Sequence, residues 1–410
     1  MSTKSIQSNT RKVPELRFPG FEGEWKEKRL GEVATFLKGK GISKDEIGEN
    51  YRNKCIHYGE LYTRYGEVIE NVISRTNFPK EKSVLSKEND TLMPTSDVTP
   101  KGLATASSLK EPGVILGGDI LVIRSDHILN SFLSYYIEAH KKDVMRLVSG
   151  VTVYHIYGSD LKTLKIFIPP LSEQQKIASL LINVDKYILN LRLKKESLET
   201  YKKGMMQKIF SHEVRFKDDK GKEFTEWQET KLGEVAEIVG GGTPDTTKNE
   251  YWNGQINWFT PTEISKKYAT VSLRKISEFG LKNSSTRLLP IGTLLFTSRA
   301  TVGDISISTI ECCTNQGFQS FIINDQNYNN FFYYWILHYK NEFLRRANGS
   351  TFLEISGKEI RKIKVSSPSF SEQRKIGGFL SSLDDVIESM QQQINLVEQW
   401  KKSLMQRLFV

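Results

Sequence analysis

In two stretches of the chain apolar residues return every seven positions. The first stretch runs through Ile177, Val184, Leu191, Leu198 and Met205, widened early by Leu181 and Ile188. The second runs through Ile376, Leu383, Met390, Val397 and Leu404, flanked by Leu380, Ile387, Ile394 and Leu408. A seven-residue repeat on a 3.6-residue helix draws one continuous seam, so the spacing predicts two long helices, about 172–210 and 371–409, zipped as a coiled coil. Pro169-Pro170 breaks any preceding helix, and Ser172 with Gln175 has the form of a capping box that starts the first one. At about 1.5 Å per residue the first helix would reach ~58 Å. A helix leaving one globular region must deliver the chain to the next, and a like helix leaving the second can bury its seam by returning along the first. The pair is therefore expected to be antiparallel and to act as a spacer. Lys194, Lys195, Lys202 and Lys203 on the first helix read as a solvated face.

The seams belong to a larger repeat. Glu24-Trp25-Lys26-Glu27-Lys28-Arg29-Leu30-Gly31-Glu32-Val33-Ala34 returns as Glu226-Trp227-Gln228-Glu229-Thr230-Lys231-Leu232-Gly233-Glu234-Val235-Ala236, an offset of 202 between Trp25 and Trp227. Pro169-Pro170-Leu171-Ser172-Glu173-Gln174-Gln175-Lys176-Ile177 returns as Pro368-Ser369-Phe370-Ser371-Glu372-Gln373-Arg374-Lys375-Ile376, an offset of 199 between Ser172 and Ser371. This second block runs without a gap from about Phe132/Phe331 through Gly150/Gly349 to Phe210/Phe409. Between the shared blocks lie centres of nearly equal length that do not align, as expected of one fold carrying two different surfaces. The predicted class is α+β: two similar α/β domains separated by two long antiparallel coiled-coil helices, with a pseudo-twofold internal repeat. The boundaries fall at 1–150 and 212–350 for the two globular regions, linker included, and at 151–211 and 351–410 for the two helical regions.

The centres mix short β-type runs with helical ones. Asp119–Arg124 and Gly292–Thr297 read as strands, and the aromatic segments Phe132–Ile137 and Phe331–Ile336 as matching helices that dock on the tails. In the second centre Gly240-Gly241-Gly242-Thr243-Pro244 is followed by Thr246, Thr247 and Lys248, then by Trp258, Thr260 and Thr262. Glycine lets a backbone approach closely, hydroxyls bond phosphate oxygens or base edges, and lysine supplies counter-charge. Ser298-Arg299 and Thr314-Asn315-Gln316-Gly317, with Gln319 just beyond, lie at strand ends; arginine forks onto guanine, and glutamine or asparagine onto adenine. The first centre offers Lys38, Lys40 and Lys44 among glycines, then Tyr58, Arg64 and Tyr65, then Thr95, Ser96 and Lys101.

Composition narrows the function. With 58 Lys+Arg against 48 Asp+Glu, the net charge of +10 suits a polyanionic partner. No apolar run approaches the roughly 20 residues of a membrane span, and the polar segment Met1–Lys12 lacks the apolar core of a secretory leader, so a cytoplasmic protein without disulfides is expected. Cys55 and the adjacent Cys312 and Cys313 form no Cys-x-x-Cys pair, and the six histidines (57, 127, 140, 155, 212 and 338) make no ligand-spaced pair, so no metal is expected. There is no Gly-x-x-x-x-Gly-Lys-Ser/Thr loop for ATP and no Asn/Asp-Pro-Pro-Tyr/Phe element of an amino-methyltransferase. Pro244-Asp245 lacks the downstream Glu/Asp-x-Lys of a metal-dependent nuclease, and Asp218-Asp219-Lys220 lies upstream of it. The chain is read as non-catalytic and without a cofactor of its own.

The duplicated block from Pro169 to Asp185 and from Pro368 to Asp384, the opening motifs Trp25–Ala34 and Trp227–Ala236, and Gly242-Thr243-Pro244 through Tyr251-Trp252 together resemble the specificity subunits of Type I restriction-modification enzymes. The likeness covers nearly the whole chain, with Ser369 for Pro170 and Arg374 for Gln175 as departures between the copies. It implies two target-recognition domains, each reading one half of a bipartite asymmetric site in double-stranded DNA. It further implies two methyltransferase subunits docked on the coil region and two restriction, or motor, subunits in the full complex. In that complex the partners use S-adenosylmethionine to methylate adenine, and ATP and Mg to cleave DNA. A free-standing DNA-binding or architectural protein would share the basic balance and the duplicated layout. A purely structural coiled-coil adaptor would leave the diverged centres unexplained.

Overall fold

A computed structural model describes residues 12–349 and 353–410. Most of the segment Met1–Lys12, on which the expectation of no leader rests, and the boundary drawn at 350/351 lie outside the described residues. The chain folds as two units: residues up to Arg192 with Gln392–Val410, and Leu193–Gln391. Each unit thus holds part of both long helices.

In the first unit the opening strand Lys26–Arg29 pairs antiparallel with Lys165–Ile168, just before the first long helix. A five-stranded sheet follows in the order Thr35–Lys38, Ile120–Arg124, Asp90–Pro94, Ser107–Leu109, Val68–Ile69, beside a second five-stranded sheet of shorter strands. The central strand Asp90–Pro94 is buried along its whole length. Its one charge is matched: Asp90 takes Nε of Arg124 at 2.7 Å with its carboxylate fully buried. The helix Asn130–Ala139 lays Phe132, Leu133, Tyr135, Tyr136 and Ile137 into the core.

The second unit repeats the plan. Gln228–Lys231 pairs with Lys364–Ser367. The main sheet runs Ala236–Gly240, Gln319–Ile323, Leu294–Phe296, Ile305–Ser308, Tyr268–Ala269. The helix Asn329–His338 buries Phe331 to Ile336. A three-stranded sheet, Arg274–Ile276, Trp252–Phe259, Cys312–Thr314, takes the place of the shorter-stranded sheet of the first unit. Successive strand residues face opposite sides, so Cys312 and Cys313 enter different cores. Among the described residues no His, Cys, Asp or Glu cluster has the makings of a metal site, and no helix is long and apolar enough to cross a membrane.

The long helices span Leu171–Phe210 and Phe370–Leu408. The first opens one residue before the expected Ser172 cap, because the Pro170 carbonyl already accepts from the amides of Glu173 (2.9 Å) and Gln174 (3.1 Å). Ser172 and Gln175 stand exposed in the first turn. The anchoring residue is Gln174, which donates to the Pro169 carbonyl at 3.0 Å and accepts the Leu129 amide at 2.8 Å. Gln373 does the same with Pro368 (3.0 Å) and Tyr328 (2.7 Å).

The predicted seams are the buried faces. Ile177, Val184, Leu191, Ile376, Met390 and Leu404 are buried, and Leu198, Met205, Leu383 and Val397 half-buried. In the first unit Ile177, Leu181, Val184 and Ile188 share a core with Leu404, Met405 and Leu408. There Asp185 meets Lys401 and Arg192 meets Glu398; one number rises as the other falls, so these stretches run antiparallel. In the second unit Lys202 meets Asp384, and Ile209 and Phe210 share a core with Ile376 and Leu380. Lys202 is thus a paired, largely buried cation, whereas Lys194 and Lys203 are exposed as expected.

Candidate nucleic-acid interface

In the second unit the polar segments converge at the strand ends. The Gly242 amide donates to Thr314 (2.8 Å), the Asn315 amide to Phe259 (3.1 Å) and the Ser298 amide to Gly317 (2.8 Å). These bonds string the loops after Gly240, Phe259, Phe296 and Thr314 along one edge. Glycine is required where they cross: a Cβ on Gly241 would lie 2.0 Å from the Asn315 carbonyl oxygen. Two indoles brace the glycine-rich loop from below, Trp258 donating to the Gly242 carbonyl at 2.9 Å and Trp252 to that of Asp245 at 3.1 Å. Trp258 is buried and therefore positions the loop.

The side chains on this edge fall into two groups. Thr243, Thr246, Thr247, Lys248, Thr262, Arg299 and Gln316 are exposed. Several are held: Thr243 donates to Gln316, Asp245 accepts the Thr247 hydroxyl at 2.7 Å, and Lys248 reaches the Tyr251 hydroxyl at 3.2 Å. The Asp245 carboxyl is kept below its ordinary range chiefly by the bond from the Thr247 hydroxyl. Thr260 closes a short capping box with Glu263. Ser298 is buried, and Gln319 packs between Gly240 and Gly357, so neither is presented as a reading group.

The first unit builds the same edge from other residues. Gly39 donates to Ile120 (2.8 Å), Lys40 to Leu116 (3.0 Å), Gly118 to Gly41 (2.9 Å) and Thr95 to Asp119 (2.9 Å). A Cβ on Gly39 would lie 1.9 Å from the Gly117 carbonyl oxygen, the counterpart of the crossing at Gly241. Lys38 pairs with Asp119 at 3.3 Å, and Lys40 and Lys44 stand exposed on the same loop. That loop turns through two left-handed residues, Gly41 (φ +75°) and Ile42 (φ +60°), with Ile42 buried beside Cys55 and Ile115. A β-branched residue rarely adopts this conformation, and it is tolerated here because the buried side chain anchors the turn. Tyr58 packs on His57, whose ring burial holds below its ordinary value. Thr95 is buried, Ser96 half-buried and Lys101 exposed.

Arg64 and Tyr65 lie elsewhere. Arg64 bonds Glu60 and lines a cleft of about 530 Å³ with Tyr135, Asp185, Arg192 and Lys401, beside the long helices. The Tyr65 hydroxyl accepts the Ile73 amide at 3.1 Å. Asp119, expected to open a strand, lies instead in the loop Gly117-Gly118-Asp119 before Ile120–Arg124, and the glycine pair between two apolar runs is the turn signal for it.

Where each lobe joins a long helix, two contacts are duplicated between the units. Arg17 grips Glu173 through Nε (2.8 Å) and Nη2 (2.9 Å), and Arg215 grips Glu372 through Nη2 (3.0 Å) and Nε (3.4 Å), with both carboxylates fully buried. Tyr135 donates to Asp185 at 2.6 Å and Tyr334 to Asp384 at 2.5 Å.

The model of the Type I restriction modification DNA specificity domain matches the chain twice, over residues 22–200 and 225–399. The MjaIX Type I restriction enzyme specificity subunit of Methanocaldococcus jannaschii is 36% identical over 207 residues, a stretch spanning 49% of this chain and 48% of that relative, or about half its length. The MjaVIII specificity subunit of the same organism is 23% identical over 424 residues, covering 98% of this chain and 95% of the relative. Among solved structures, the Type I restriction-modification S subunit from M. genitalium superimposes with a TM-score of 0.61 at 18% identity, covering 97% of this chain and 99% of that one. Two matched domains on a duplicated scaffold, each carrying its own loops, place the chain in the family of Type I restriction-modification DNA specificity proteins.

Proposed function

We propose that this chain is the sequence-reading, non-catalytic subunit of a Type I restriction-modification complex in the cytoplasm, each unit reading one half of a bipartite asymmetric site in double-stranded DNA. One observation carries the reading: the scaffold is repeated while the loops it presents are not. Gly39–Lys44 and Gly117–Asp119 in one unit stand where Gly240–Lys248 and Asn315–Gly317 stand in the other. Backbone crossings are kept and side chains changed, which is what two different base sequences demand of one fold.

The long helices support docking of two methyltransferase subunits. Apolar residues that the fold leaves exposed recur at the repeat offset: Leu171 and Phe370, Tyr187 and Val386, Tyr201 and Trp400, each between 41% and 52% exposed. Large exposed apolar groups on a helix face mark contact surfaces, and their duplication fits two copies of one partner. Methylation with S-adenosylmethionine and cleavage with ATP and Mg would belong to the methyltransferase and two motor subunits.

Mapping methylated adenines genome-wide with and without this chain tests the reading. It predicts a two-part motif that vanishes with the chain, and exchange of residues 35–150 for another centre should change one half only. Gel shifts of the purified chain with and without the methyltransferase separate it from a free-standing DNA-binding protein. Full specific binding by the chain alone, with no methylation motif, would favour the latter.

A further inference from the structure

Arg299 and Glu354 face each other as bridge partners on the reading edge of the second unit. The carboxylate takes Nε at 3.0 Å and Nη2 at 2.8 Å, and the pair is 45% and 46% exposed. The backbone on both sides is fixed. The Ser298 carbonyl accepts the Ile355 amide at 2.9 Å, the Ala300 amide donates to Leu353 at 3.0 Å, and Ala300 itself sits at φ +63°. A non-glycine residue held in the left-handed region marks a turn whose shape is over-determined by its surroundings.

A guanidinium carries five N–H donors in a rigid fork. With Glu354 on the Nε/Nη2 edge, Nη1 and the second hydrogen of Nη2 form an edge that no other group takes among the described residues. That free edge matches the O6 and N7 acceptors of guanine in the major groove. The carboxylate fixes the plane of the fork and opposes its collapse onto a phosphate. Among the described residues the first unit has no such device. There the Ile156 amide donates to Thr95 (3.1 Å) as the Ile355 amide does to Ser298, so the bridge partners Ser96 and His155 stand where Arg299 and Glu354 stand, and no guanidinium is present to be clamped.

The geometry points to Arg299 as a guanine-reading residue of the second half-site, with Glu354 as its positioning residue. This rests on the DNA-reading function proposed above and assigns residues within it. The test uses the full chain assembled with its methyltransferase subunits and methylation of a randomised duplex library, comparing wild type with Arg299→Lys and Glu354→Gln. Arg299→Lys keeps the charge and loses the fork; Glu354→Gln keeps the shape and weakens the clamp. Wild type should show a guanine preference at one position of one half-site. Arg299→Lys should reduce that preference about 5- to 150-fold, the range for losing one bidentate base contact. Glu354→Gln should reduce it part of the way at the same position, with the other half-site and the gap unchanged. A uniform drop in methylation with the motif intact would overturn the base-reading role, as would the absence of guanine from that half-site. An unchanged profile in Glu354→Gln beside an altered one in Arg299→Lys would overturn the positioning role. A wild-type library with no two-part motif would instead refute the function proposed above.

Discussion

The two units carry the same half-buried polar cluster where lobe meets helix, with one sign reversed. In the first, Lys401 lies between Asp185 (2.6 Å) and Glu67 (3.0 Å), and Tyr135 donates to Asp185. In the second, Asp384 lies between Lys202 and Lys267 (3.9 Å), and Tyr334 donates to Asp384. Lys202 and Lys401 are repeat partners at the offset of 199, as are Asp185 and Asp384. The third member is not duplicated: Glu67 and Lys267 come from the diverged centres. The helices therefore supply a common Tyr-Asp-Lys core, and each centre completes it with an acid or a base. A duplicated fold can keep its framework while each lobe settles its own electrostatics.

Where the units are alike, matched substitutions should cost alike. Arg17→Ala and Arg215→Ala each leave a fully buried glutamate without its cation. Uncompensated buried charge is the expensive case, at about 3–5 kcal/mol. Two unfolding transitions, or one shifted equally by either variant in a urea titration, are expected. A loss under about 1 kcal/mol for either would show that these bridges behave as surface pairs.

Where the units differ, matched substitutions should diverge. Lys401→Met strands two carboxylates beside each other, whereas Lys202→Met leaves Asp384 with Lys267. The first should cost roughly 2–4 kcal/mol and the second about half as much, since only the first leaves half-buried charge unpaired. Equal losses would show that Glu67 and Lys267 contribute nothing to the contrast.

What could be read from the sequence followed the range of the pattern. The seams, the repeat and the aromatic helices Asn130–Ala139 and Asn329–His338 are local periodicities and survive intact. The Arg17 and Arg215 bridges are equally local, since Glu15-Leu16-Arg17-Phe18 returns as Glu213-Val214-Arg215-Phe216 ahead of the motifs that open at Glu24 and Glu226. The reading edges were legible as loops and not as side chains. Trp258 and Ser298 are turned inward, and Arg64 lies beside the helices, because exposure and direction are set by tertiary packing that spacing along a chain does not encode.

The smallest effect sharpens the comparison through pH. Burial, with Glu67 adding to it, holds the Asp185 carboxyl above its ordinary value although Lys401 pulls the other way. One cation between two acids cannot fully compensate both, so the native unit takes up a proton here more readily than the unfolded chain. The sign follows from linkage: as pH falls through the raised native value toward roughly 3.9, the Asp185 contribution to stability grows, and it levels off below that point. Asp185→Asn removes this proton site at nearly constant volume. The wild-type stability minus that of Asp185→Asn should therefore rise on acidification from neutral pH, by less than about 1.4 kcal/mol for each unit of raised pKa. A flat difference would mean that Lys401 neutralises Asp185 completely and that Glu67 is merely its neighbour, which would also remove the reason for expecting Lys401→Met to cost more than Lys202→Met.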